Sequence, residues 1–284
     1  MLYSRSRSLP VDHQSQCLGC HYHPLVAKNI IMKCRTNAAL LCIVCLGLGL
    51  SVQSLAKPAA WSYVAPTQAD NWGELDPDYA LCSSGSMQSP INIETTHTAL
   101  LPALNIHFKP GPATVKNNGH TLEVKSDIEG YITLKAGSNA DDYTFEQMHL
   151  HTPSEMQINS HSYPLASHMV YRNKAGKQLV VATFFEMGAE SKALAPLLTA
   201  LPRHKGDSLT LGKFDATDLF PAQRDYYTYE GSLTTPPCTE GIQWIVLKKP
   251  LTVSEEQLTA FQLLFPMNAR PVQSINKRTV LVSG

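Results

Sequence analysis

Beyond residue 56 this sequence has little cysteine, no long apolar run and no block of like charge. Only Cys82 and Cys238 of its seven cysteines lie there. The longest apolar run in the chain, Ala38–Leu50, sits upstream and has thirteen residues, short of the ~20 that a membrane-spanning helix needs. Charge is scarce too: charged residues make up 16% of the chain and cancel to a formal net charge of zero. Five Lys/Arg and one Asp fall in residues 1–56, which leaves 18 basic against 22 acidic residues afterwards. That slight acidity excludes an electrostatic grip on nucleic acid. With no repeat and no low-complexity linker after Lys57, residues 57–284 read as one domain, long enough to bury a sizeable core.

The upstream segment reads as a targeting sequence. Lys33 and Arg35 precede the apolar run, and Ser54-Leu55-Ala56 offers small residues where a signal peptidase would cut. Residues 32–56 then form a signal peptide that starts at Met32, and residues 1–31 form an over-extended leader. The competing reading is an uncleaved anchor, the only route by which a membrane becomes a partner. Cleavage implies a periplasmic or secreted protein. It would also remove Cys17-Leu18-Gly19-Cys20-His21, which matches a haem-attachment pattern but lies ahead of the signal. The two remaining cysteines imply one disulfide in an exported protein, or else two buried thiols.

What is present is dominated by strands. Thr114–Val115, Thr121–Lys125 and Tyr131–Lys135 alternate apolar and polar residues between the turn clusters 116–119 and 127–130. Leu179–Phe185 is continuously apolar, as expected of a central strand covered on both faces, and Gly241–Leu247 reads similarly. One helix is expected over about 190–201, broken or delayed by Pro196. A second follows Ser254, which forms a capping box with Gln257, presents Leu258, Phe261, Leu264 and Phe265, and ends before Pro266. Trp61, Tyr63 and Trp72 anchor an irregular N-terminal arm.

The stretch Phe145–Tyr171 carries the chemistry. His149 and His151 are two apart, and alternate side chains of a strand share a face; Gln147 belongs to the same row. A returning strand over Ala166–Tyr171 brings His168 opposite, with Val170 beside it as an apolar neighbour. Three imidazoles with an open fourth position describe a catalytic zinc site. A lone histidine is more often a hydrogen-bonded core or surface residue, and His161, in a polar NSHS turn, is read that way.

Several motifs in a consistent order carry a resemblance. These are QSPINI at 88–93, NNGH at 117–120, QMHLHTPSE at 147–155, GSLTTPPC at 231–238, WIVLK at 244–248 and NARPVQ at 268–273. Over about Trp61 to Val282 the chain resembles the α-class carbonic anhydrases of the exported bacterial type. The resemblance implies a mainly β (α+β) single domain with a central twisted, largely antiparallel sheet and a few surface helices. It implies reversible hydration of carbon dioxide to bicarbonate and a proton, by attack of a zinc-bound hydroxide with a histidine proton shuttle. Matched by position, His149, His151 and His168 are the Zn2+ ligands, Thr234 orients the hydroxide and Glu155 is its buried acidic partner. His120 is the shuttle. Val170, Val180, Leu233 and Trp244 form the wall that receives carbon dioxide, next to Thr234 and Thr235. Cys82 and Cys238 match the family's disulfide pair. Carbon dioxide and bicarbonate are the implied partners, and a homodimer is one assembly left open.

Two positions depart from the family pattern. Ala166 stands where a glutamate usually accepts the proton of the third ligand's outer nitrogen, and Tyr171 where a histidine is common. The first departure keeps a second reading in view, a metal-poor carbonic-anhydrase-like binding or adhesion domain. Hydrolysis of activated esters is a third, as a side activity of the same centre.

Overall fold

The computed structural model describes residues 57–126, 129–136, 138–199 and 201–284. The leader, the signal segment and the C-x-x-C-H motif lie outside the described residues. Among those described, no helix is long and apolar enough to cross a membrane.

In chain order the strands are β1 Asn92–Ile93, β2 His97–Ala99, β3 Ala103–Phe108, β4 Gly111–Asn117, β5 Leu122–Ser126, β6 Gly130–Ala136, β7 Asn139–His151 and β8 Gln157–Ile158. Then come β9 Leu165–Asn173, β10 Gln178–Met187, β11 Ser208–Phe214, β12 Tyr226–Ser232, β13 Glu240–Leu247, β14 Leu251–Val253 and β15 Leu281–Ser283. The main sheet runs β11-β4-β5-β7-β9-β10-β13-β12-β15-β2, with β3 and β6 branching from β7 and β14 pairing with β10. Neighbours along that path are antiparallel except for β10–β13 and β15–β2. The expected architecture is therefore present, with a parallel joint at its centre.

The two faces of β9 and β10 explain the uninterrupted apolar run. Leu179, Val181 and Phe185 pack with Met169 and Tyr171 into the larger core, which also takes in Phe261 and Phe265. Val180, Ala182 and Phe184 pack with Ala166, Val170 and Trp244 into a second cluster on the opposite face. A strand with apolar layers on both sides has no solvent face and needs no polar alternation. Tyr171 belongs to the larger core, edge-on to Phe145 at 5.6 Å. Its departure from the family pattern thus falls on the side of the sheet away from the histidines.

Four α-helical segments occur among the described residues: α1 Trp72–Leu75, α2 Leu81–Ser84, α3 Ala195–Thr199 and α4 Glu255–Gln262. The helix expected over 190–201 is shortened to α3, because Pro196 lacks an N–H and fits only the first turn. In α4 the Ser254 hydroxyl accepts from the Gln257 N–H and the Gln257 side chain accepts from the Ser254 N–H. Leu263–Phe265 continue past α4 as a turn, the Leu263 N–H bonded to Thr259 O and those of Leu264 and Phe265 to Phe261 O. The N-terminal arm packs Trp61, Tyr63, Trp72 and Tyr79 around the disulfide formed by Cys82 and Cys238.

Candidate metal centre

The register of β7 against β9 builds the site. His149 lies directly across from His168, and His151 across from Ala166. All three histidines therefore project from one face, and one ligand atom from each lies within 4.8 Å of the others. Ring centroids are 4.5 to 5.4 Å apart.

Neighbouring groups decide which nitrogen of each ring faces inward. His149 Nδ1 is 2.9 Å from Gln147 Oε1, two residues back on the same face. His151 Nδ1 donates to the Asn268 carbonyl at 2.7 Å. Both bonds leave Nε2 to the centre, and His151 Nε2 is buried without a hydrogen-bond partner. His168 is turned the other way: its Nδ1 faces the Glu155 carboxylate at 3.7 Å, and its Nε2 is buried and unpartnered. Burial, followed by the charge of His151, holds the pKa of His149 well below the ordinary value. Burial and then the charges of His151 and His149 do the same to His168. Neutral imidazole is the form that binds a metal. Three inward lone pairs on a rigid ladder, with two outer nitrogens already engaged, fit zinc.

Glu155 is buried behind these rings. Its Oε1 accepts the Arg270 N–H at 2.9 Å, and its Oε2 lies 3.5 Å from His151 Nε2. Burial raises its pKa; the charge of His151, the Thr234 side chain and Arg270 oppose that rise. Thr234 is buried in the loop between β12 and β13. That loop is closed by Leu233 N–H to Thr239 O and Cys238 N–H to Thr235 O, both 2.9 Å, and is tied down by the disulfide. Prolines 236 and 237 offer no N–H to a competing ladder.

The apolar wall is one row of the sheet. Val170 pairs with Val180, and Val180 with Trp244, across three adjacent strands. Leu233 packs against this cluster. Trp244 is fixed by an indole N–H bond to Ser232 O at 3.0 Å, and stands edge-on to His168 with ring centroids 5.0 Å apart. Thr235 is half-buried beside Thr234.

His120 sits in a turn that its sequence prescribes. The Asn118 side chain accepts the N–H groups of His120 and Thr121, both at 2.9 Å, and Gly119 takes φ +90, which a Cβ would disfavour. The His120 ring is half-buried and stacked on Trp61 at 3.8 Å. Burial first, and the nearby Lys205 charge second, lower its pKa. His161 is exposed in its turn and takes no part.

The role of Asn268 and Arg270 was not legible locally. Asn268 donates to the carbonyls of His120 and Leu150 at 3.0 and 2.9 Å and accepts the Thr152 N–H at 2.7 Å. It thereby joins the His120 turn to the strand of His149 and His151. Arg270 donates to Gln88 Oε1, Ser89 O and Cys82 O. The NARPVQ motif was the only signal for either, since every one of these partners is more than a hundred positions away.

A mixed sheet bearing three histidines on one face, backed by a buried threonine and glutamate and flanked by an apolar row, defines a sheet-borne centre that could hold a metal ion. The family follows from comparison. The model of the eukaryotic-type carbonic anhydrases matches residues 67–284, and the chain belongs to that family. It is 38% identical over 222 residues to a carbonic anhydrase of Neisseria gonorrhoeae, covering 78% of this chain and 87% of the relative. It is 38% identical over 239 residues to one of Klebsiella pneumoniae, covering 82% and 96%. Among solved structures, the α-carbonic anhydrase of Thermovibrio ammonificans in complex with the inhibitor sulfanilamide matches with a TM-score of 0.75 at 36% identity. That match covers 79% of this chain and all of the other.

Proposed function

We propose that the protein is a zinc enzyme, exported from the cell, that catalyses the reversible hydration of carbon dioxide to bicarbonate and a proton. The observation that carries this reading is the histidine triad with inward nitrogens, set beside the row Val170–Val180–Trp244. His149, His151 and His168 hold the metal, which supplies a Lewis acid that makes a bound water acidic enough to act as a nucleophile.

The protein groups do the rest. The apolar row receives a neutral, nonpolar substrate without offering it hydrogen bonds, and keeps bulk water from that side. Thr234 has one proton to give. Given to ionised Glu155, it leaves the threonine oxygen as an acceptor, so the nucleophile's hydrogen is engaged there and its lone pair turns toward carbon. The same arrangement favours ligands that carry a proton. His120, an imidazole able both to take up and to give up a proton, relays the released proton to solvent. Burial and then the Lys205 charge lower its pKa, which favours the neutral, proton-accepting form.

The test is metal content measured beside activity. Purified residues 57–284 should carry one zinc and hydrate carbon dioxide. His151→Ala should lose both while keeping its far-ultraviolet circular dichroism. A folded His151→Ala protein with full zinc occupancy would overturn the ligand assignment.

A further inference from the structure

Strand β5 brings a charged pair to the edge of the site that none of these roles uses. Glu123 lies directly across the β5–β7 ladder from His149. Directly opposed residues project to the same face, with Cβ atoms roughly 5 Å apart. That face grows more open from Thr121 toward Lys125. Thr121 is buried, the Glu123 side chain is 24% exposed and that of Lys125 is 62% exposed. Lys125 Nζ reaches Glu123 Oε1 at 3.0 Å. Glu123 thus stands in register between His149 on β7 and the exposed Lys116 on β4, and is the less exposed member of its ion pair with Lys125. Solvent screens the ammonium more than the carboxylate, so the two charges do not cancel at the metal.

We propose that Glu123 is a specificity-determining residue, which weakens the binding of anions at the histidine centre relative to neutral carbon dioxide, and that Lys125 moderates it. This rests on the carbonic anhydrase reading. Carbon dioxide has no net charge for the carboxylate to repel, whereas bicarbonate and inhibitory anions do. Across roughly 10 Å of partly solvated protein, a unit charge changes the affinity of a monovalent anion by about three- to fivefold.

The experiment titrates thiocyanate into the cobalt-substituted protein at low ionic strength, read by visible absorption, for wild type, Glu123→Gln and Lys125→Met. Thiocyanate should bind about three- to fivefold tighter to Glu123→Gln and more weakly to Lys125→Met, with both differences shrinking as salt is added. Equal affinities in wild type and Glu123→Gln would overturn the inference. So would shifts in the same direction for both variants, which would indicate loosening of β5 rather than charge. Failure of the wild type to take up cobalt and, with zinc, to hydrate carbon dioxide would instead overturn the underlying reading, and this inference with it.

Discussion

His168 Nε2 is buried and has no hydrogen-bond partner, and Ala166, two residues before it on the same strand face, has no group to offer one. The other two histidines have their outer nitrogens held, by Gln147 and by the Asn268 carbonyl. An acceptor there fixes the ring and raises its basicity as a ligand, and losing such a partner typically costs ~10–100-fold in metal affinity or activity. Ala166→Glu should therefore tighten zinc binding by about tenfold or more, measured by competition with a chelator, with melting temperature as the check on folding. Ala166→Asp tests the same point with less added volume in a buried position. Unchanged or weaker zinc binding in folded variants would mean that His168 needs no further acceptor. At this scale the sequence was informative wherever a role depends on neighbours two residues away, as with Gln147, His149 and His151. For Asn268 and Arg270 it offered a motif but no role, because their partners converge only through the fold.

Among the elements, those whose identity comes from local physics were legible. The alternation in β5 and β6, the unbroken apolar run of β10 and the capping box of α4 each follow from a short window. What a window does not hold is pairing. That β10 runs parallel to β13 at the centre of a mostly antiparallel path depends on a long excursion through α3, β11 and β12. The helix over 190–201 was overextended because leucine spacing suggested more turns than Pro196 allows. The α4 cap has a measurable consequence. The Gln257 side chain also accepts the Ser191 N–H and donates to Ser191 O, so the box fixes the approach to α3 as well as the start of α4. Ser254→Ala removes the hydroxyl but leaves Gln257 in place, and should cost about 1 kcal/mol in urea unfolding. A loss well beyond ~2 kcal/mol would show that Ser254 also holds the Ser191 contact.

At the scale of the whole molecule, one covalent bond joins the parts that meet at the centre. Cys82 ends the N-terminal arm and Cys238 ends the Thr234 loop, at a sequence separation of 156. The carbonyl of Cys82 accepts from Arg270 Nη2 at 2.8 Å, and the carbonyl of Cys238 accepts from Gln88 Nε2 at 3.1 Å. Arg270 in turn donates its backbone N–H to Glu155. The crosslink thus braces the loop that carries Thr234 and the segment that holds Glu155. In the chain-entropy model, closing a loop of that length contributes roughly 4–5 kcal/mol. For a domain of this size each kcal/mol shifts the melting temperature by about 2–4 °C. Reduction should therefore lower the melting temperature by on the order of 10 °C. Below that lowered midpoint, activity should fall further than zinc content, because Thr234 loosens while the histidines stay on their strands. The direct check is non-reducing mass mapping of protein recovered from an oxidising compartment. Two free thiols in active, zinc-loaded enzyme would show that the arm is held without the crosslink, and would weaken the case for an exported location.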